Sequence, residues 1–421
     1  MRSPDFIRFQ AGQLLSSMGG RCSFLALSWW TLESTGSKAQ FSHLALVFSV
    51  VGMLSLPLLA PLADRWSRKG CAAVADLCTL AGVAALYLVT NGGVYHPMQA
   101  MMVVGVLALA SSFMVAVASG IVPMLVPRDD IGRAQVAVNT LQAVVLLTAP
   151  LVAGYAAQVI GLQITLLATC ALLSITLACT WGIRADTRPC DVGGRYSLAE
   201  WCSSMAEGIR LSTRIRAELA WNLISAAING CMVPFSTLIV PVILLQDLQL
   251  GMVTAGWFAA ASAVGLLSGG QLALWLLERV GASFTAVVGV AMIGAGVLVY
   301  AVSTDKWLLI CGSLVSGFGI GLHNFCCTLY RSVATPTAYR GRLKAWGKWS
   351  GQCAVPLGLF IFGLLLQHVP STLSVGLVVI VIFSAGAALA CLPSIAELLG
   401  GTLEERHDFY LSRYPSAFGA L

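Results

Sequence analysis

Stretches of about twenty residues with little or no charge recur along this chain, separated by short connections that hold most of its lysines, arginines and carboxylates. Ala45 to Leu62 carries no charge at all, and Cys71 to Thr90 carries only Asp76. A helix rises 1.5 Å per residue, so crossing a hydrocarbon core of about 30 Å takes about 20 residues. The pattern predicts twelve helical spans, at roughly 9–32, 41–63, 71–90, 99–120, 135–158, 160–183, 217–245, 252–277, 283–302, 306–330, 345–367 and 371–393. The apolar runs are continuous rather than alternating. A membrane barrel is therefore excluded, because its strands alternate lipid-facing apolar with lumen-facing polar residues.

Composition supports the same reading. Of 421 residues 58% are hydrophobic and 10% charged, against about 25% charged in a soluble domain. The expected fold is an all-α polytopic membrane protein with no room for a soluble catalytic domain. The extramembrane pieces of any size are the 184–216 linker and a 394–421 tail. No HExxH, GxSxG, carboxylate pair or P-loop appears, so neither an enzyme nor an ATP-driven pump is expected. The thirteen cysteines form no CxxC and no Cys/His cluster, and no metal or cofactor is expected. The first apolar stretch is too long for a signal peptide and is expected to be retained.

Charge fixes an orientation. With both termini inside, twenty-one Lys and Arg residues fall on the cytoplasmic side, only Lys38 and Lys306 fall outside, and Arg21 lies within the first span. The net charge of +6 then reflects topology and anionic lipid rather than nucleic-acid binding.

Features also recur about half a chain apart. Gly270 to Trp275 is offset by 210 residues from Ala60 to Arg65, Gly132-Arg133 matches Gly341-Arg342, and Pro150 matches Pro356. The repeat predicts two six-helix halves, residues 1–183 and 217–393, joined by the linker. Within the linker, Leu198 to Ile209 has the polar face of an interfacial helix.

The segment Leu62-Ala63-Asp64-Arg65-Trp66-Ser67-Arg68-Lys69 resembles the loop between helices 2 and 3 of major facilitator superfamily transporters. Gly12 to Gly19, Ala26 to Trp29 and Val122 to Ala134 resemble the efflux branch that includes macrolide exporters and enterobactin-type siderophore exporters. The resemblance implies a monomeric, multi-pass protein of the bacterial inner membrane. It implies secondary transport by alternating access, with the substrate cavity between the two halves, and Asp64 as a latch with Arg340 or Arg342 as partners. Arg65, Arg68 and Lys69 share that loop, and the alternative is that these cations only set topology. It further implies a helix-5 hinge at Pro150 and Gly154, with Pro356 as the counterpart in the second half. The arginine-bearing helix-4 motif that accompanies proton antiport is absent, since Met101 to Ser119 has no charge, and proton coupling stays open.

Charge inside a span is costly and marks function. Asp76 belongs either to the structural network of the gate or to proton transfer. Arg21 suits a carboxylate or other anion, and a cationic drug is the wrong guess; the alternative is that it pairs with Glu33 or snorkels. Gln13, Asn139, Gln142, Asn222, Asn229, His323 and Asn324 are the uncharged candidates for a cavity lining, and Trp29, Trp30, Trp221 and Trp257 for stacking on a ring. Interhelical hydrogen bonds and interfacial tryptophan belts explain such residues too, and His323 also reads as a packing histidine. The expected function is export of a siderophore or similar amphipathic, anionic organic molecule. Import of a ferri-siderophore, or multidrug and macrolide efflux, are the alternatives.

Overall fold

The computed structural model describes residues 4–127, 130–185, 187, 198–336, 339–401 and 405–418. Among these there is no strand. In the first part of the chain, α1 is Pro4–Thr35, α2 Lys38–Arg65, α3 Arg68–Asn91, α4 Pro97–Leu125, α5 Ile131–Val159 and α6 Leu162–Trp181. Next come α7 Leu198–Arg214, α8 Arg216–Pro234, α9 Met252–Val280, α10 Ala282–Val302, α11 Lys306–Ala334, α12 Arg340–His368 and α13 Ser371–Cys391. Three short helices follow, α14 Pro393–Leu399, α15 Phe409–Arg413 and α16 Pro415–Phe418.

Eleven of the described helices are long and apolar enough to cross a membrane. The 32-residue α1 is not among them, because Gln10, Gln13, Arg21 and a run of serines and glycines dilute its hydropathy. The span that begins in α8 runs on to Asp247. Pro234 and Pro241 each remove an amide donor, and the helix widens into π-turns over Phe235–Ile239 and Ile243–Asp247.

The chain forms two compact units, one of residues 1–196 with 244–260, the other of 197–243 with 261–421. In the first, α1 packs on α5 and α6, and α3 on α4 and α6. In the second, the equivalent pairs recur: α8 packs on α12 and α13, and α10 on α11 and α13. The half-chain repeat is thus visible as a repeated packing scheme.

The first unit ties three helix ends together. The Asp5 carboxylate accepts from the Ala185 amide at 2.8 Å and from Arg8 at 2.8 Å, and Arg8 also donates to the Gly182 carbonyl at 3.1 Å. Lys69 Nζ donates to the Ile183 carbonyl at 2.6 Å, so two cations cap the carbonyl end of α6. Burial acts to raise the Asp5 pKa, but the Arg184 and Ala185 amides and the Arg8 guanidinium outweigh it and hold the carboxyl below its usual range. The tip 244–260 also belongs to this unit: Asp247 lies 3.5 Å from Lys38, Gln246 donates to the Gly36 carbonyl, and the Val253 amide donates to Gln158.

In the second unit α9 and α11 meet backbone to backbone. Gly265 and Gly269 on α9, and Gly317 and Gly321 on α11, are each spaced by four residues. A Cβ on Gly317 would be driven into the Ser262 carbonyl, and one on Gly265 into the carbonyl of Leu314. Small residues at this spacing let helices approach where lipid supplies no hydrophobic drive.

Candidate functional site

Each unit carries a polar helix face, built differently. In the first unit, Gln13, Ser17 and Arg21 follow one another at four-residue steps and so share one side of α1. Gln13 Nε2 donates to Ser17 Oγ at 3.4 Å, and Gln142 Nε2, from α5, reaches the same hydroxyl at 3.5 Å. Gln13 Oε1 is buried with no partner among the described residues. The opposite side of α1 holds Gly12 and Gly19 against α6, which is why the polar stripe is left half-open. Arg21 is exposed, one turn beyond Ser17. Glu33 is twelve residues further along the same helix, about 18 Å away, so the two do not pair.

In the second unit, residues of α9 and α11 line a groove of about 490 Å³. Leu266, Phe325 and Leu329 form its apolar wall, Gly270 and Gly321 its floor, and Asn324, Thr328 and Ser332 its polar rim. Those three lie at four-residue steps on α11, so one helix face presents an amide and two hydroxyls. No lining residue carries a charge. Thr328 and Ser332 were not singled out from sequence, although the four-residue spacing from Asn324 was there to be read.

The other expected cavity residues lie elsewhere. Asn222 is buried: its Nδ2 donates to Ser212 Oγ at 2.8 Å and its Oδ1 accepts from Arg331 at 3.1 Å. His323 is also buried, stacked on Trp221 with ring centres 5.8 Å apart and beside Cys327 Sγ at 3.5 Å. Trp221 is thereby covered by protein, 2% exposed, and presents no free ring face to a ligand. Asn229 is exposed but turns its amide back onto the Ser225 carbonyl. Pro150 and Gly154 sit inside α5, and Pro356 inside α12. Arg68 and Lys69 open α3 beside Thr187, with both backbone amides donating to it. The side chains of Trp29, Asp64, Arg65, Asn139 and Arg342 lie outside the described residues.

A cluster that sequence reasoning missed joins α8, α11 and the tail. Glu218, 1% exposed, takes Arg331 Nε at 3.0 Å and Nη2 at 2.5 Å, and the Tyr410 hydroxyl donates to the same carboxylate at 2.7 Å. Burial and the adjacent carboxylate push the Tyr410 phenol well up, so it stays a donor. Around it the tail residues Leu398, Tyr410, Ala417 and Phe418 are buried with Leu211, Ile215 and Leu343. No group of His, Cys, Asp or Glu among the described residues is arranged to hold a metal.

The sequence model described as the Major Facilitator Superfamily matches residues 11–358. Among curated relatives, the mouse (Mus musculus) solute carrier family 2, facilitated glucose transporter member 8 is 32% identical over 122 residues, 29% of this chain and 24% of that protein. The Arabidopsis thaliana sugar transport protein 12 is 29% identical over 108 residues, 26% of this chain and 20% of that protein. The chain thus spans about a quarter or less of the length of these relatives. Among solved structures, the nucleoside transporter NupG superposes with a TM-score of 0.73 at 13% identity, over 91% of this chain and 98% of that one. A bacterial homologue of the iron transporter ferroportin, in its inward-facing state, gives 0.73 at 15% identity over 92% and 98%. At these identities the likeness is one of fold.

Proposed function

Because this multi-pass membrane chain belongs to the Major Facilitator Superfamily, we propose that it is a secondary transporter that carries a small amphipathic organic molecule by alternating access. The α9–α11 groove supports this reading best. Its apolar wall takes a ring or alkyl face, while Asn324, Thr328 and Ser332 offer donors and acceptors to hydroxyl or carbonyl groups. Arg21 on α1 adds an exposed guanidinium, which suits a substrate with a carboxylate or other anionic group. Export of a siderophore-like anion, from a bacterial inner membrane with both termini in the cytoplasm, follows from the efflux-branch motifs and the Lys/Arg distribution. A neutral sugar is the second reading, favoured by the names of the curated relatives.

Transport by purified protein in liposomes separates the two. The probes are a radiolabelled tricatechol siderophore without iron, the same molecule loaded with iron, and D-glucose. The expected result is that the iron-free siderophore moves and that Arg21→Ala slows it about tenfold, the equivalent of one charge-assisted contact of about 1.4 kcal/mol. Asn324→Ala is expected to raise KM several-fold. Uptake of D-glucose that is indifferent to Arg21→Ala would sink the anionic reading and favour the sugar.

A further inference from the structure

We propose that Asp76 is a proton-binding site whose loading and release bias the position of α1. The carboxylate is 1% exposed, in the interior of the first unit. It is held by two hydroxyls from two other helices, Ser16 Oγ of α1 at 3.0 Å on Oδ1 and Thr180 Oγ1 of α6 at 2.8 Å on Oδ2. Among the described residues no cation is paired with it. Of the helices packed against α3, α4 and α6 contain no charged residue. On α1, Arg8 is held by Asp5 and the Gly182 carbonyl, while Arg21 lies on the polar stripe with Ser17. Glu33 is further still along α1, about 25 Å from the level of Ser16. On α2, Lys38 pairs with Asp247, His43 is exposed, and the Asp64 and Arg65 side chains lie outside the described residues. On α3 itself, Arg68 and Lys69 are seven or more residues away, about 10 Å along the axis, and Lys69 is engaged with Ile183.

A charged carboxylate in such a place is costly, and the ordinary remedy is a salt bridge, which none of the described residues supplies. Hydroxyl partners have a property that a salt bridge lacks. Each can donate to an ionised carboxylate and, by turning its O–H, accept from a protonated one. Both protonation states of Asp76 can therefore be hydrogen-bonded, but with a donor and an acceptor exchanged, so the two states hold Ser16 and Thr180 differently. The link to α1 is short: Ser16 binds Asp76, and its neighbour Ser17 takes Gln13 and Gln142 on the polar stripe. A change in how Ser16 is held is passed to that stripe through one peptide bond. The coupling to α1 rests on the transport reading above, whereas proton binding itself does not.

The full chain in liposomes, followed by infrared difference spectroscopy between about pH 5 and pH 9, tests the site without any substrate. The expected result is a protonated-carboxyl C=O band that grows as pH falls, shifts in D₂O, is missing from Asp76→Asn and is retained by Asp5→Asn. Thr180→Val, which keeps the acid but removes one hydroxyl, is expected to move the pH midpoint of that band, and serves if the asparagine variant does not fold. A wild-type spectrum without the band, or a band that survives Asp76→Asn, would overturn the proposal. For the coupling, accumulation of the tricatechol siderophore under a gradient of about two pH units is expected to fall to a ratio near one in Asp76→Asn. A ratio equal to wild type would remove Asp76 from the coupling while leaving the infrared result standing. If no probe is transported at all, the transport reading fails and the titration still decides the site.

Discussion

Replacing Arg331 by leucine is expected to destabilise the second unit by about 3–5 kcal/mol, because among the described residues it leaves the buried Glu218 carboxylate with the Tyr410 hydroxyl and no cation. The size of the effect comes from what remains rather than from what is lost. Glu218 is 1% exposed, so water cannot replace the guanidinium. Arg331 also holds the Asn222 carbonyl oxygen, so a second buried polar atom loses its donor. Removing both charges, as Arg331→Leu with Glu218→Leu, is expected to cost less than the single change, since no unpaired charge is left. The melting temperature of the protein purified in detergent measures both. An Arg331→Leu protein melting within about 2 °C of wild type would show that the pair is solvated in the native state.

The second large effect is steric. Gly317→Val is expected to prevent α9 and α11 from closing, because the new side chain would occupy the space of the Ser262 carbonyl, a backbone group that cannot turn aside. Overpacking within a core costs about 1–3 kcal/mol where neighbours can adjust, and a helix backbone adjusts least. Gly321 of the same stripe also lines the groove containing Asn324 and Thr328, so forcing the helices apart would change its shape. The expected readout is a fall in the folded fraction by size-exclusion chromatography, together with loss of transport in whatever protein remains. Gly376→Val on α13, away from the groove, is the matching control, since a Cβ there meets nothing within 4 Å. Equal losses from both would argue against the close contact.

The helical spans and the half-chain repeat were legible in the sequence because both are properties of local composition. A run of apolar residues needs no partner to be recognised, and matching prolines and glycines can be aligned without knowing what they touch. The side-chain partners were another matter. Helical periodicity says which residues share a face, but not which neighbour covers that face. Asn222 and His323 looked like cavity linings for that reason. What covers them comes from far along the chain: Arg331 lies 109 residues beyond Asn222, and Trp221 lies 102 residues before His323. The tip at 244–260, which packs within the first unit, was hidden in the same way, since its partners Gly36, Lys38 and Gln158 are remote in sequence. The spacing of Gly265 from Gly269, and of Gly317 from Gly321, was readable and marks a helix contact that a sequence pattern alone could have located.

The Tyr410 contact bears on how the protein is made. Glu218 enters the nascent chain 113 residues before Arg331 and 192 residues before Tyr410. During synthesis its carboxylate must wait, first without a counter-ion and then without its last donor, while α9 to α14 are still being added. The ion pair needs Arg331, but the cluster is complete only when Tyr410 has been added, so a ribosome that stalls before that codon has synthesised every long helix and leaves the cluster around Glu218 unfinished.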